Sequence, residues 1–192
     1  MEHIRIRDAV PEDAPRLVEI YDYYVRHTAV SFEYDTPTAE EFRGRMERTM
    51  ARWPYLVAER DGRVMGYAYA GAFVGRAAYD RCCELSIYLD RDARRGGLGR
   101  RLYQELSRRL ADRGILNLYA CIGCPIQRDD PYLTWDSVNF HRRMGFTLAG
   151  TFHACGYKFG RWYDMEIMQP LLYHCSDFLQ QHRLRCHRTD NK

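Results

Sequence analysis

The sequence predicts a single α/β domain, and two observations carry that reading. Residues 83–110 run as an apolar strand, a glycine-rich turn and a helix with leucine at every fourth position: Leu98, Leu102, Leu106 and Leu110. On either side of this unit, short strand patterns exchange with helical stripes, the order expected of helices packed on a sheet. With 192 residues and 46% apolar composition the chain can bury one ordinary core, and two full-sized domains are the poorer default.

Taken in order, the first pattern is the alternation around Ile4 and Ile6, which suits a half-buried strand. Glu12, Asp13 and Pro15 then open a helix whose buried stripe is Leu17, Ile20, Tyr21, Tyr24 and Val25. The aromatic stretch Ser31-Phe32-Glu33-Tyr34 leads to a second helix from Thr38 to Met50. Tyr55–Glu59 and Val64–Ala70 form a hairpin about Asp61-Gly62, a pair that supplies the positive φ angles of a tight turn. After the strand Cys83–Leu89 and the leucine helix come a strand at Ile115–Ile122 and a helix at Ser137–Met144 that stops at Gly145. Strands at Thr147–Tyr157 and Trp162–Met168 complete the domain, taken as residues 1–170. The polar His- and Arg-containing segment 171–192 reads as an appended tail.

Several functional classes drop out on composition. A net charge of +3 is too small to announce a nucleic-acid binder, and the basic residues of the tail support only a weak contact. The longest near-apolar stretch, Tyr67–Val74, is far short of the roughly 20 residues of a membrane span, and the N-terminus has no signal-peptide pattern. Seven cysteines, two of them adjacent at Cys82 and Cys83, do not look like a secreted disulfide framework, so a cytoplasmic protein with reduced thiols is expected. Neither Cys121-x-x-Cys124 nor His174, Cys175, His182, Cys186 and His187 has a standard zinc spacing, and no metal is expected.

The turn Arg94-x-x-Gly97-x-Gly99, with Arg95, Arg100 and Arg101 beside it, gathers unpaired backbone N–H groups at the positive end of a helix dipole. Such a turn can hold phosphates. It lacks Gly-Lys-Ser/Thr, and Leu102 stands where a dinucleotide fingerprint has its third glycine, which disfavours ATP and NAD. By itself it can equally be a plain tight turn with solvated arginines.

Placed after Glu84-Leu85-Ser86-Ile87-Tyr88-Leu89, the turn resembles the acetyl-CoA pyrophosphate loop of the GNAT N-acetyltransferase superfamily. Ser137-Val-Asn-Phe-His-Arg-Arg-Met-Gly-Phe146 is similar to the later GNAT helix that passes the pantetheine arm. Arg76-Ala-Ala-Tyr79 before Glu84, and Gly156–Asp164 near the end, are similar to the phosphinothricin (methionine sulfoximine/sulfone) N-acetyltransferase branch. The resemblance, over about residues 4–169, implies a mixed, twisted central sheet flanked by helices, acetyl-CoA as co-substrate, a small amino-acid-like amine as acceptor, and a homodimer.

The resemblance also implies roles. Glu84 would be the general base for the amine, unless it is only a strand-edge glutamate paired to an arginine. The backbone of Ile87, Tyr88 and Leu89 would face the pantetheine, with the Ile87 N–H as oxyanion donor at a strand bulge. Arg94, Arg95, Gly96, Gly97, Leu98, Gly99 and Arg100 would hold the phosphates, and Thr134, in the place of an asparagine, and Ser137 would flank the cofactor. His141 stands where many members have an acid tyrosine, and can be a proton donor or a packed helix residue. Phe32, Arg76, Tyr79, Lys158 and Trp162 would form the acceptor side, Arg76 taking a carboxylate. Residues 126–133 look like an insertion whose Asp129, Asp130 and Tyr132 either cap the acceptor side or contact a partner subunit, or that simply lies in solvent. No cysteine is expected where an acyl intermediate would form, so transfer would be direct. The alternatives are an acetyltransferase for a protein N-terminus or another amine, and a non-catalytic CoA-binding module.

Overall fold

The computed structural model describes residues 4–93 and 96–170. The expectations for Arg94, Arg95 and the tail 171–192 therefore fall outside the described residues. Seven strands, β1 (Ile4–Asp8), β2 (Tyr55–Arg60), β3 (Arg63–Ala72), β4 (Cys82–Leu89), β5 (Asn117–Pro125), β6 (Phe146–Lys158) and β7 (Arg161–Pro170), form one sheet in the order β1-β2-β3-β4-β5-β7-β6. The helices are α1 (Ala14–His27), α2 (Ala39–Met50), α3 (Leu98–Asp112) and α4 (Asp136–Arg143).

Local chemistry explains the boundaries. Asp61 and Gly62 sit at φ 50° and 80°, the left-handed pair that joins β2 to β3 with matching twist. Phe159 and Gly160, at φ 51° and 72°, do the same between β6 and β7. Thr38 opens α2 with a reciprocal cap: its hydroxyl accepts from the Glu41 N–H at 3.2 Å, and its own N–H donates to the Glu41 carboxylate at 2.8 Å. Three short 3-10 turns, Pro11–Asp13, Ala77–Tyr79 and Arg91–Ala93, had no periodic signal in the sequence because one turn is too short to show a period.

Strand alternation sorts two layers of core. Leu56, Ala58, Ala68, Ala70, Leu85, Ala120 and Ile122 face α3 and bury its leucine stripe. Tyr55, Val57, Tyr67 and Tyr88 face the opposite side, under α1 and α2. Small residues on the α3 side let that helix lie close to the sheet, whereas the α1/α2 side is filled with aromatic rings.

The join between β4 and β5 positions the site. These parallel strands pair only at Cys82↔Asn117, Cys83↔Leu118 and Glu84↔Tyr119. Beyond Glu84 they part, and β5 pairs instead with β7 from Ala120↔Met168 to Pro125↔Tyr163. The bulge expected at Ile87 is absent: β3 and β4 keep one unbroken register from Gly66↔Leu89 to Ala72↔Cys83. The opening comes from the other edge of β4. Bulges do occur in β6, where Asp164 holds the looped-out residues by accepting from the Ala154 N–H at 2.8 Å and contacting His153 at 3.0 Å.

Candidate active site

The wedge between β4 and β5 holds about 460 Å³ of empty space, part of it open to solvent, with Tyr103 of α3 and Ser137 and His141 of α4 on one flank. Its chemistry starts from backbone direction. The Asp90 N–H donates to the Met65 carbonyl of β3 at 2.8 Å, so by alternation the N–H and C=O groups of Leu85, Ile87 and Leu89 point towards the β5 side. Because the β4–β5 ladder ends at Glu84↔Tyr119, those of Ile87 open onto the cleft. Leu89, expected with them, is committed elsewhere: Tyr24 Oη donates to its carbonyl at 2.7 Å and accepts from its N–H at 3.3 Å. Tyr88 contributes its ring, not its backbone, and packs edge-on to Tyr21 and Tyr24.

At the mouth of the wedge, Gly97 begins α3 at φ 74°, a backbone angle that disfavours any side chain, and nothing lies within 4 Å of where a Cβ would stand. The first helical bond there is Arg101 N–H to the Gly97 carbonyl, which leaves the N–H groups of Leu98, Gly99 and Arg100 without acceptors inside the helix. A Cβ on Gly99 would sit 3.3–3.4 Å from Phe140, Ile87 and Leu89, so glycine there keeps the helix start against the strand. Open amides, a left-handed glycine and a helix N-terminus fit a diphosphate. Gly96 and Arg100 are exposed on this rim. Arg101 turns away and donates to the Ile4 carbonyl at 3.1 Å.

Glu84 occupies the apex, the last residue of β4 before the strands part. Across β3 its register partner is Gly71, which has open space where a side chain would be. Burial raises the pKa of the Glu84 carboxyl, and a hydrogen bond from the Cys121 thiol pulls it partly back. Cys121 lies two residues beyond Tyr119 on β5, on the cleft wall, where no cysteine was expected. Only the parting of β4 and β5 places it there; in the sequence it looked like half of a Cys-x-x-Cys pair. Burial and the adjacent carboxylate push its own pKa up to about 12, so it remains a thiol at neutral pH and is a poor nucleophile. Cys124 lies on the opposite face of β5, buried, with its thiol on the Ile122 carbonyl.

Both ring nitrogens of His141 are engaged in hydrogen bonds. The residue is 3% exposed, Nδ1 lies 2.7 Å from the Ser137 carbonyl and Nε2 lies 2.9 Å from Tyr103 Oη. A carbonyl only accepts, so Nδ1 carries the proton, and Nε2 accepts from Tyr103. Burial lowers the imidazole pKa to about 4, so the ring is neutral in ordinary buffers. The pair Tyr103–His141 is a fixed wall of the cleft. Tyr103 was missed because, four residues after Gly99, it reads as one more member of the buried helix stripe.

The acceptor side is assembled by a clamp. Lys158, expected at the substrate, is 2% exposed and donates to the carbonyls of Val25, Thr28 and Ser31 at 2.7, 3.0 and 2.6 Å. Its three protons are thereby used on the α1–α2 connection. That connection carries Phe32, whose ring lies against Gly156 of β6 and Gly123 of β5; a Cβ on Gly156 would approach the ring to 2.5 Å. The insertion at 126–133 is latched onto the same structure. Asp130 accepts from the N–H groups of Tyr132 and Leu133 and from Tyr163 Oη, and Tyr132 stacks on Phe159 and accepts from the Ala29 N–H. Asp130 is therefore structural and not a cap on the acceptor. Trp162 is 56% exposed on the hairpin, against Tyr157, and Thr134 is exposed with its hydroxyl on the Asp136 N–H. Arg76 and Tyr79 are exposed on the β3–β4 connection, Tyr79 being tied towards Glu84 through the row Tyr79, Phe73, Tyr119.

Replacing Lys158 by Met leaves three carbonyls without their donor and is expected to cost roughly 2–4 kcal/mol in urea unfolding. Gly156→Ala is expected to cost about 1–3 kcal/mol by displacing Phe32. In steady-state assays both should raise KM for the acceptor and leave KM for the cofactor nearly unchanged.

Comparison with known proteins agrees with this geometry. Residues 6–167 match the family model of the acetyltransferase (GNAT) domain. The chain is 36% identical over 166 residues to a phosphinothricin N-acetyltransferase of Streptomyces viridochromogenes, covering 86% of each. Among solved structures it resembles the phosphinothricin acetyltransferase of Sinorhizobium meliloti in complex with acetyl-CoA (37% identity, TM-score 0.77, 86% of each chain). It also resembles a ribosomal-protein-alanine N-acetyltransferase of Brucella melitensis (36% identity, TM-score 0.79, 88% of this chain and 99% of that one). With its seven-stranded sheet opened between β4 and β5 and a glycine turn at the head of α3, the chain belongs to the GNAT family of acetyl-CoA-dependent N-acetyltransferases.

Proposed function

We propose that the protein transfers the acetyl group of acetyl-CoA to the primary amine of a small amino-acid-like acceptor, of the phosphinothricin or methionine sulfoximine kind, by direct attack in a ternary complex. The observation that carries this reading is the place of Glu84, at the apex of the wedge and facing open space over Gly71. An aliphatic ammonium with a pKa of roughly 8–10 must lose a proton before it can attack, and the Glu84 carboxylate is the base within the site. The freed amine forms the new C–N bond at the thioester carbonyl, and the Ile87 N–H donates to the oxygen as it gains charge. Collapse breaks the C–S bond, and the proton that the acylated nitrogen sheds passes to the departing sulfur, so that CoA leaves as the thiol. A thiol with an ordinary pKa of roughly 8.5 is a tolerable leaving group near neutrality, which accommodates a site whose imidazole is held neutral. The high pKa of Cys121 favours direct transfer over a route through an acyl-cysteine.

The Gly97 turn and the N-terminus of α3 would hold the diphosphate, with Arg94, Arg95 and Arg100 in support. Arg76, exposed and without an ion pair among the described residues, is read as the partner of the acceptor's carboxylate, with Tyr79 and Phe32 as walls. The likeness to a ribosomal-protein-alanine N-acetyltransferase favours a second reading, a protein N-terminus as acceptor. The latched 126–133 loop and the clamped Phe32 favour the small acceptor, because a peptide needs an open groove. We further read the protein as a cytoplasmic homodimer, its domain ending near residue 170. Leu148, Phe152, Tyr157 and Trp162, apolar and half-exposed along the edge hairpin β6–β7, support a second copy docking there. The reading uses no metal.

Thiol release from acetyl-CoA, measured against a panel of amino acids, amines and peptides, tests the proposal; release with peptides alone would overturn it. Glu84→Gln is expected to lower kcat by about 10²-fold or more while KM for acetyl-CoA holds. Because the base is the ionised form and burial raises its pKa, wild-type kcat/KM should fall on the acid side through a value above the ordinary glutamate 4.5. A raised carboxylate pKa also means that ionised Glu84 costs folding stability at neutral pH, so the Gln variant should melt at the same or a higher temperature.

A further inference from the structure

We propose that a second cavity, walled by tyrosines between α1, α2 and the sheet, receives the side chain of the acceptor and selects side chains that end in hydrogen-bond-accepting oxygens. The inference rests on the acetyl-transfer reading above and adds to it the element that reads the acceptor.

The cavity holds about 360 Å³ of empty space, part of it open to solvent, and Glu33, Arg45 and Thr49 are the polar residues of its lining outside the tyrosines. Tyr88 lines both this cavity and the transfer cleft, so the two adjoin at this residue. Tyr69 continues the connection: its register partner on β4 is Ser86, a residue of the cleft wall two positions from Glu84, and its ring stacks on Tyr55 at 4.7 Å. An acceptor whose amine is at Glu84 therefore has its side chain directed along the aromatic face of β3 and β4 towards this space.

What the cavity asks of a ligand follows from its polar atoms. Most are committed. Tyr21 Oη lies 2.6 Å from Ser31 Oγ and donates to Glu33 at 3.0 Å, and Arg45 holds the same Glu33 carboxylate at 2.7 Å. Tyr67 is not committed: it is 0% exposed, and its hydroxyl has no hydrogen-bond partner among the described residues. Buried hydroxyls are almost always paired, and one that lines a cavity unpaired is poised for a group that enters it. An oxygen at the end of the acceptor's side chain can accept the Tyr67 proton and lie near the guanidinium of Arg45. The hydrocarbon stem can lie along the ring faces, with Phe42 and Met46 behind. Plain hydrocarbon or thioether ends fill the space and leave Tyr67 unpaired. Glu33 neutralises Arg45, so neutral or singly charged oxygen groups suit the site better than dianions.

L-methionine sulfone and L-methionine differ only by two oxygens on sulfur and probe this directly. With the full chain and saturating acetyl-CoA, the ratio of kcat/KM for the sulfone over that for methionine should exceed one, and should fall about fivefold or more in Tyr67→Phe. Arg45→Gln should lower it by a smaller factor. A folded Tyr67→Phe variant, judged by circular dichroism and its melting temperature, with the wild-type ratio overturns the subsite. If neither amino acid yields thiol, the melting temperature decides. A rise on adding methionine sulfone in the wild type but not in Tyr67→Phe supports the subsite and overturns the acetyl-transfer reading. No rise in either overturns both.

Discussion

β4 and β5 share three residue pairs and then separate, and the rest of the functional architecture depends on that separation. A sheet normally satisfies its backbone groups with the neighbouring strand. Here the β5-facing groups of Ile87 lose that neighbour and open instead onto a cavity flanked by Tyr103 and His141. The opening is sustained from both sides. β5 keeps its own ladder by pairing with β7, and β4 keeps an unbroken register with β3, so neither strand is left single.

Around this opening, positive and polar groups are used mainly to fix backbone. The ammonium of Lys158 joins three carbonyls of the α1–α2 connection, Tyr24 occupies both backbone groups of Leu89, and Asp130 ties the 126–133 loop to itself and to Tyr163. The consequence is a rigid frame. Phe32 can be a wall because Gly123 and Gly156 leave room for its ring on the sheet surface. Burial then sets the protonation states: it raises the carboxyl of Glu84 and lowers the imidazole of His141. One group becomes a stronger base, and the other is held neutral. Two residues that looked like an acid and base pair in the sequence are thus separated in role by desolvation and by hydrogen-bond partners.

Most of the fold was legible because its signals are local. Among the described residues, the sequence pattern located the four helices and seven strands, the Asp61-Gly62 pair marked its hairpin, and the Arg-x-x-Gly-x-Gly turn marked the start of α3. The turn with its neighbouring strand also carried the family. The site was legible only in part. Ile87 and Ser137 line the cleft and Glu84 ends the β4–β5 pairing, whereas Lys158 and Asp130 hold backbone, and Trp162 and Thr134 lie on the exterior.

By itself, then, the sequence determined the order and type of elements, the family, and the residue at the head of each motif, since each depends on neighbours within a few positions. The tertiary structure decided which polar side chains face the acceptor and which are consumed by backbone, because that depends on contacts between residues more than 100 positions apart, as between Lys158 and Val25. It alone brought Cys121 beside Glu84 and left the Tyr67 hydroxyl unpaired over a cavity, since burial and strand separation have no signature in local spacing.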